Sequence, residues 1–384
     1  MRVVMVGDFP RKVDEMGGGV EAVTTYLANA LQEFPDLSLE AVTLDRWGGG
    51  ARTEQQRSVP VHFVPLSRRP SRLSNWQNTD RLASVIDALK PDIVHAHIAN
   101  QYATAAMKSG RPWVLTAHGV RHLEMALRSG VLNRYREWTT RREEFRLMRA
   151  ATHLISISPF INKVFKGEIS ANVSLIDNPV DEAFFDVAPT PVAGQILYVG
   201  RLIPRKDLLT LFSAFAAVHK ENPHCRLRLA GEGISGLEPS GYPLELMQFI
   251  EANGIKEAVT FLGQLNDEAL LKEYANCQLM AVSSILETAP MVILQAMAAS
   301  VPVVSTDAGG IRQLVADGKS GYVVPIGATK LFADKMANVI GDIELSAEMA
   351  RNAKIIAEDR FRASHIARRT RDIYYQAADR GAKE

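Results

Sequence analysis

The stretch SSILETAPMVILQAMAASVPVVSTDAGG, residues 283–310, decides the fold. It follows Leu279 to Val282, a short apolar run bounded by polar residues, which reads as a buried strand. A loop carrying Glu287, Thr288 and Ala289 then meets Pro290, a residue suited to a first helical position because it has no N–H to leave unpaired. A helix is therefore expected from Pro290. Val292, Ile293, Ala296, Met297 and Ala299 give it an apolar stripe. Gln295 lies eight residues after Glu287, near enough to two turns for both to face one side. The helix N-terminus at Met291 and Val292 offers unpaired N–H groups and about half a positive charge, which suits a phosphate. Val301 to Ser305 reads as a second strand. It ends in Asp307-Ala308-Gly309-Gly310, where paired glycines let backbone approach a ligand closely.

Upstream the same unit repeats. Ile196 to Gly200 is a strand, and Arg201-Leu202-Ile203-Pro204-Arg205-Lys206-Asp207 is a basic loop before a helix beginning near Leu208. Between a strand end and a helix N-terminus, Arg201 and Lys206 look like a diphosphate clamp. Leu227 to Ala230 with Gly231-Glu232-Gly233, and Val259 to Leu262 with Gly263, continue a parallel sheet. Nearer the start, Arg2 to Val6 is a first strand closed by Gly7-Asp8-Phe9-Pro10. Gly17-Gly18-Gly19 follows, then Val20, Val23, Tyr26, Leu27, Ala30 and Leu31 at helical spacing, again a phosphate-binding layout. The glycines do not fit G-x-G-x-x-G, which disfavours a dehydrogenase. Strands are expected at 39–44, 61–64, 93–96, 113–116, 154–157 and 173–176, with helices near 79–89 and 101–108. Such alternation implies helices on both faces of a parallel sheet, with ligands beyond the carboxyl ends of the strands. His95, His97 and His118 fall at such ends.

At 384 residues the chain is too long for one core. We expect a doubly wound α/β domain over 1–186, a second over 187–362, and a C-terminal helix over 363–384 that crosses back to the first; the Pro- and Ala-rich residues 187–194 read as the linker. The composition, 47% hydrophobic and 23% charged, is that of an ordinary globular protein, and a net charge of +1 gives no reason to expect nucleic acid. Cys225 and Cys277 lack metal-ligand or redox-motif spacing and read as buried thiols of a reducing compartment. No stretch reaches the roughly 20 apolar residues of a membrane span, and the first ten residues do not read as a signal peptide. A cytoplasmic location is expected.

The 283–310 stretch resembles the signature of glycosyltransferase family 4, the retaining nucleotide-sugar transferases, in which two glutamates separated by seven residues precede a small-residue helix, a P-V-V strand and a Gly-Gly turn. Glu287 matches the first glutamate. The second position is Gln295, and Gln313 stands where the family usually has an acid. Arg201 and Lys206 match the family's G-R-L…K element, with Asp207 in place of the usual glycine. Asp177 to Asp181 resembles its N-G-V-D turn. The resemblance covers nearly the whole chain, densest over 197–324, and implies the GT-B architecture: two Rossmann-like domains facing a cleft. It further implies that His118 and Glu287 hold the donor sugar and that position 295 holds ribose. Gly18, Gly19, Arg201, Lys206 and the 288–292 segment would hold the diphosphate, with Gly263 also at the donor. A UDP- or GDP-sugar donor, an unidentified acceptor, no cofactor and no metal are expected. Two rivals remain: a GT-B sugar-nucleotide epimerase, marked by epimerised donor without acceptor, and a silent binding homologue, marked by binding without turnover.

Between Arg121 and Arg149 lie eight arginines and four glutamates. Two readings stay open. One is a solvated helix laced with i,i+4 ion pairs. The other is an anionic partner surface, since some similar transferases carry basic surfaces in this region that approach membranes; that reading would place the chain at the inner membrane face.

Overall fold

Continuous apolar strands bury both faces, so they pair side by side under helices. In the computed structural model, which describes residues 1–13, 16–67, 72–233 and 241–381, the first half forms β1 (Arg2–Val6), β2 (Ser38–Asp45), β3 (Arg52–Gln56), β4 (Val59–Pro65), β5 (Ile93–His97), β6 (Trp113–Ala117), β7 (His153–Ser156) and β8 (Asn172–Leu175). Among the described residues these make one eight-stranded sheet in the order β3-β4-β2-β1-β5-β6-β7-β8. Val3 to Val6 of β1 are 0% exposed, which makes this strand the centre of the core. Strand β3 is polar and pairs antiparallel on the edge, so no apolar run announced it. Its neighbours pair parallel throughout the rest of the sheet. The helices are α1 (Gly19–Leu31), α2 (Arg72–Leu89), α3 (Gln101–Lys108), α4 (Arg121–Ala126), α5 (Val131–Ala150) and α6 (Pro159–Val164).

The second half holds α7 (Glu182–Phe185), β9 (Gln195–Val199), α8 (Leu208–Glu221), β10 (Arg226–Ala230), α9 (Tyr242–Ala252), β11 (Val259–Gly263), α10 (Asp267–Asn276), β12 (Leu279–Val282), α11 (Met291–Ala298), β13 (Val303–Thr306), β14 (Gly321–Val324), α12 (Thr329–Gly341) and α13 (Ile343–Arg360). The sheet order β11-β10-β9-β12-β13-β14 reverses direction between β9 and β12. That reversal is where doubly wound sheets open a ligand crevice. The loops that leave β9 and β12, residues 200–207 and 283–290, therefore emerge side by side.

The last helix, α14 (Ala363–Gly381), belongs to the first unit and lies along α1. Tyr374 is 0% exposed there, and Arg371 and Tyr375 both reach Asp36. The units divide at Pro179 and Val180, not at residue 187. The reason is packing: Phe184 meets the Tyr274 ring edge-on at 5.7 Å, and the Val180 N–H donates to the Phe361 carbonyl at 2.8 Å, so 180–186 belong to the second core. The expected linker is likewise tied down, its Thr190 and Val192 N–H groups donating to the Ala275 and Asn276 carbonyls.

Candidate functional site

Two glycines set the geometry of the second unit's crevice. A side chain at Gly231 would place its Cβ 2.1 Å from the Gly200 carbonyl oxygen, so only glycine lets the ends of β9 and β10 approach this closely. The Gly200 N–H donates to Ala230 and the Leu202 N–H to Glu232, fixing the loop that presents Arg201. Tyr198 Oη donates to the Arg201 carbonyl at 3.1 Å, a support the sequence reading did not identify. The Arg201 side chain itself is exposed and unpaired among the described residues.

Lys206 behaves differently. Its Nζ donates to Glu287 Oε1 at 2.6 Å, and the Arg205 guanidinium stands 3.4 Å from the same oxygen while donating to the Leu286 carbonyl at 2.7 Å. Glu287 is 8% exposed. Burial pushes its pKa up, but the Lys206 and Arg205 charges more than offset this and hold the carboxyl below its ordinary value. The two loops are further stitched by Ser283 Oγ donating to the Lys206 carbonyl and by the Ile285 N–H donating to the Arg205 carbonyl. Arg205 lay in the quoted basic loop without an assigned part; its contacts show that it helps seat Glu287.

Asp207 occupies the position that the resemblance gives to glycine, and its backbone is left-handed, φ +45°. Aspartate tolerates this region because its short side chain can bond locally. It caps α8, accepting from the Thr210 N–H at 3.4 Å and from Thr210 Oγ1 at 2.7 Å. Asp207→Ala should therefore lose the cap and keep the strain, at a cost of about 1–2 kcal/mol. Asp207→Gly relieves the backbone as it removes the cap, and should stay within about 0.5 kcal/mol of wild type. Urea unfolding of both variants checks this; an alanine variant as stable as wild type would mean the cap contributes nothing.

Helix α11 begins at Met291, with Pro290 as its cap at ψ +121° instead of its first turn. Glu287, Thr288, Ala289, Pro290 and Met291 are buried and Val292 is half-buried. The Gly310 N–H donates to the Glu287 carbonyl at 3.1 Å, so the Gly309-Gly310 turn braces this loop. Gln295 is 5% exposed, and its Oε1 accepts from Tyr274 Oη at 3.3 Å, a hydroxyl also 3.2 Å from the Val292 carbonyl. Position 295 thus ties α11 to α10. Gly263 ends β11 at φ +69°, and its carbonyl accepts from the Gly231 N–H at 2.8 Å.

The first unit has its own reversal, between β1 and β5. Gly18 precedes Gly19, the first residue of α1, with extended backbone and open space where a side chain would be. Neither strain nor packing requires glycine at 18, whereas Gly17 donates its N–H to Glu21 Oε2 at 2.7 Å. At the ends of β5 and β6, His97 Nδ1 and His118 Nε2 lie 2.7 Å apart with stacked rings, and His95 bridges Tyr374 Oη at 2.7 Å and Thr116 Oγ1 at 2.6 Å. Among the described residues, His97 Nε2 is buried without a partner. Burial lowers all three imidazoles, reinforced at His95 and His97 by neighbouring histidines, so that His95 and His118 titrate near 3 and all are neutral at pH 7.

Unfolding restores the ordinary histidine value of 6.5. The stability contribution is thus fully present above pH 6.5 and is lost as pH falls toward 3. For His95 alone the shift predicts a loss of about 2 kcal/mol between pH 7 and pH 5. Urea unfolding at both values, beside His95→Asn, measures it; equal losses in the two proteins would show that His95 is not the group responsible.

Cys225 and Cys277 are free and buried, as expected. Among the described residues no three His, Cys, Asp or Glu side chains are grouped to hold a metal ion, and no helix is long and apolar enough to cross a membrane.

Residues 17–184 match the family model for glycosyltransferase family 4, and residues 181–355 match that for glycosyl transferases group 1. The alpha-D-kanosaminyltransferase of Streptomyces kanamyceticus is 30% identical over 179 residues, a match spanning 47% of this chain and 45% of that relative. Sucrose-phosphate synthase from Thermosynechococcus elongatus superimposes with a TM-score of 0.82 at 18% identity, over 98% of each chain. Anabaena Alr3699/HepE in complex with UDP-glucose gives 0.74 at 20% identity, over 98% of this chain and 100% of that one.

Proposed function

We propose, for a chain that belongs to glycosyltransferase family 4 and has the GT-B fold, that it moves a sugar from a nucleoside-diphosphate sugar to an acceptor hydroxyl with retention of anomeric configuration and without a metal ion. The observation that carries this reading is the Lys206–Glu287 pair at the strand-order reversal, with Arg201 unpaired beside it. Cleaving the donor leaves negative charge on the diphosphate. Groups already aimed there stabilise the transition state more than the ground state. Arg201, two remaining N–H donors of Lys206, and the amide groups at Met291 and Val292 meet that charge without a metal ion. Glu287 holds Lys206 in place and offers its second oxygen to sugar hydroxyls. His118, neutral in its stack with His97, can exchange hydrogen bonds with a ligand of the first unit without adding charge. UDP-sugars are the first donors to try, because the structural relative HepE binds UDP-glucose.

Thermal-shift screening against UDP- and GDP-sugars tests the donor, since ligand at 100 times its Kd stabilises by about 2.7 kcal/mol. Turnover with the donor so found should survive chelator, and the product's anomeric proton should keep the donor's configuration by NMR. Loss of turnover in chelator with recovery on magnesium or manganese would overturn the metal-free mechanism. Epimerised donor formed without acceptor would overturn transfer itself.

A further inference from the structure

The buried residues of helix α5 lie near its C-terminus. Near its C-terminus Leu147 and Met148 are buried, and the buried Glu144 carboxylate accepts the Arg121 and His122 N–H groups and pairs with the His122 ring at 2.7 Å. Glu143 pairs with Arg121. Glu143 and Glu144 are thus spent on joining α5 to α4, and no i,i+4 ion pair runs along α5 among the described residues, contrary to the solvated-helix reading. What remains is the outer half, residues 127–142.

Its surface is apolar and positive together. Val131 is 86% exposed, Leu132 62%, Trp138 50%, and Leu127 and Tyr135 47% each. Val131, Tyr135 and Trp138 recur at i, i+4 and i+7 and so form one stripe. The Tyr135 and Trp138 rings lie 6.1 Å apart, and the Arg142 guanidinium sits 4.8 Å over the Trp138 ring. Within 127–142 there are five arginines, all exposed, and one glutamate, Glu137, a net of +4 from 5 − 1.

We propose that this face docks the protein on the surface of an anionic lipid bilayer. The occupant must cover aliphatic and indole surface while meeting several positive charges around it. A nucleic acid would satisfy the arginines and leave Leu127, Val131 and Leu132 in water. An anionic bilayer satisfies both: the apolar stripe enters the boundary between headgroups and chains, Trp138 and Tyr135 sit at headgroup level, and the arginine stems run along apolar surface with their charges outward. Contact is peripheral, because no described helix is long and apolar enough to cross. The docking face stands independently of the sugar-transfer reading.

Co-sedimentation of the full chain with vesicles tests this, using phosphatidylcholine alone or mixed equally with phosphatidylglycerol. The mixed vesicles should pellet the protein and neutral ones should not, with binding falling as salt rises. Two variants separate the components: Val131→Ser with Trp138→Ser, and Arg134→Gln with Arg141→Gln and Arg142→Gln. Each should lose partitioning on the order of tenfold or more while melting like wild type, since these side chains are exposed. Brominated lipid should quench wild-type tryptophan fluorescence more than that of Trp138→Phe. No binding to mixed vesicles, or wild-type binding by either variant, overturns the proposal. So does binding to RNA or to vesicles with Trp138 left unquenched, since neither places the apolar stripe in lipid.

Discussion

Lys206→Ala should lower turnover by about 10²–10³ while changing the donor's apparent affinity far less, the pattern of losing one preorganised donor to a charge that grows in the transition state. The expectation starts from where the lysine is. Its side chain is 13% exposed and bonded to Glu287 at 2.6 Å, so it is positioned before any ligand arrives and costs no reorganisation during reaction. Lys206→Arg should recover only part of the rate, because a planar guanidinium cannot reproduce the compact ammonium between Glu287 and a diphosphate. Arg201→Ala makes a clean companion: with no partner among the described residues, its removal should reduce turnover in the same direction and leave stability within about 0.5 kcal/mol. Steady-state kinetics that separate kcat from KM decide the matter. Wild-type kcat in either alanine variant would remove that residue from the clamp.

Glu287→Gln should both destabilise the second unit and slow transfer. Removing one partner of a buried ion pair costs about 3–5 kcal/mol when the other charge is left dry. Lys206 and Arg205 keep 13% and 18% of their side-chain surface, so water screens part of this and we expect about 2–3 kcal/mol. At about 2–4 °C per kcal/mol for a domain of this size, melting should fall by about 6 °C. The pH dependence fixes the cause. The Glu287 carboxyl lies below its ordinary 4.5 in the folded protein, so its contribution is present above that value and is lost as pH falls through the lowered one. Wild type and variant should therefore converge in acid. Binding of the sugarless nucleoside diphosphate should persist, since the lysine released from Glu287 remains available to it, whereas sugar transfer should fall by about 10² or more. A variant that melts and transfers like wild type would show that the pair organises nothing.

The sequence alone determined the alternation of apolar strands and helices, the two-unit chain and the family resemblance, because these are written in local spacing. Apolar runs such as Val3 to Val6 announce burial wherever the chain goes, and glycine or proline at a strand end marks a turn without reference to distant residues. It could not announce β3, whose residues Arg52 to Gln56 are polar and become a strand only because β4 offers an edge. The domain boundary at Pro179 also escaped it, since that position depends on Phe184 finding Tyr274 ninety residues away. At the candidate site, residue types and places were legible, but partnerships were not. Glu287 and Lys206 were read as separate contacts to sugar and diphosphate, and only the side-by-side exit of the loops after β9 and β12 makes them one buried pair. His97 on His118, Asp207 in a left-handed cap and Gln295 under Tyr274 were decided the same way. Each depends on a distance between residues far apart in sequence or on a backbone angle that spacing does not specify, and these are set when strands and helices pack.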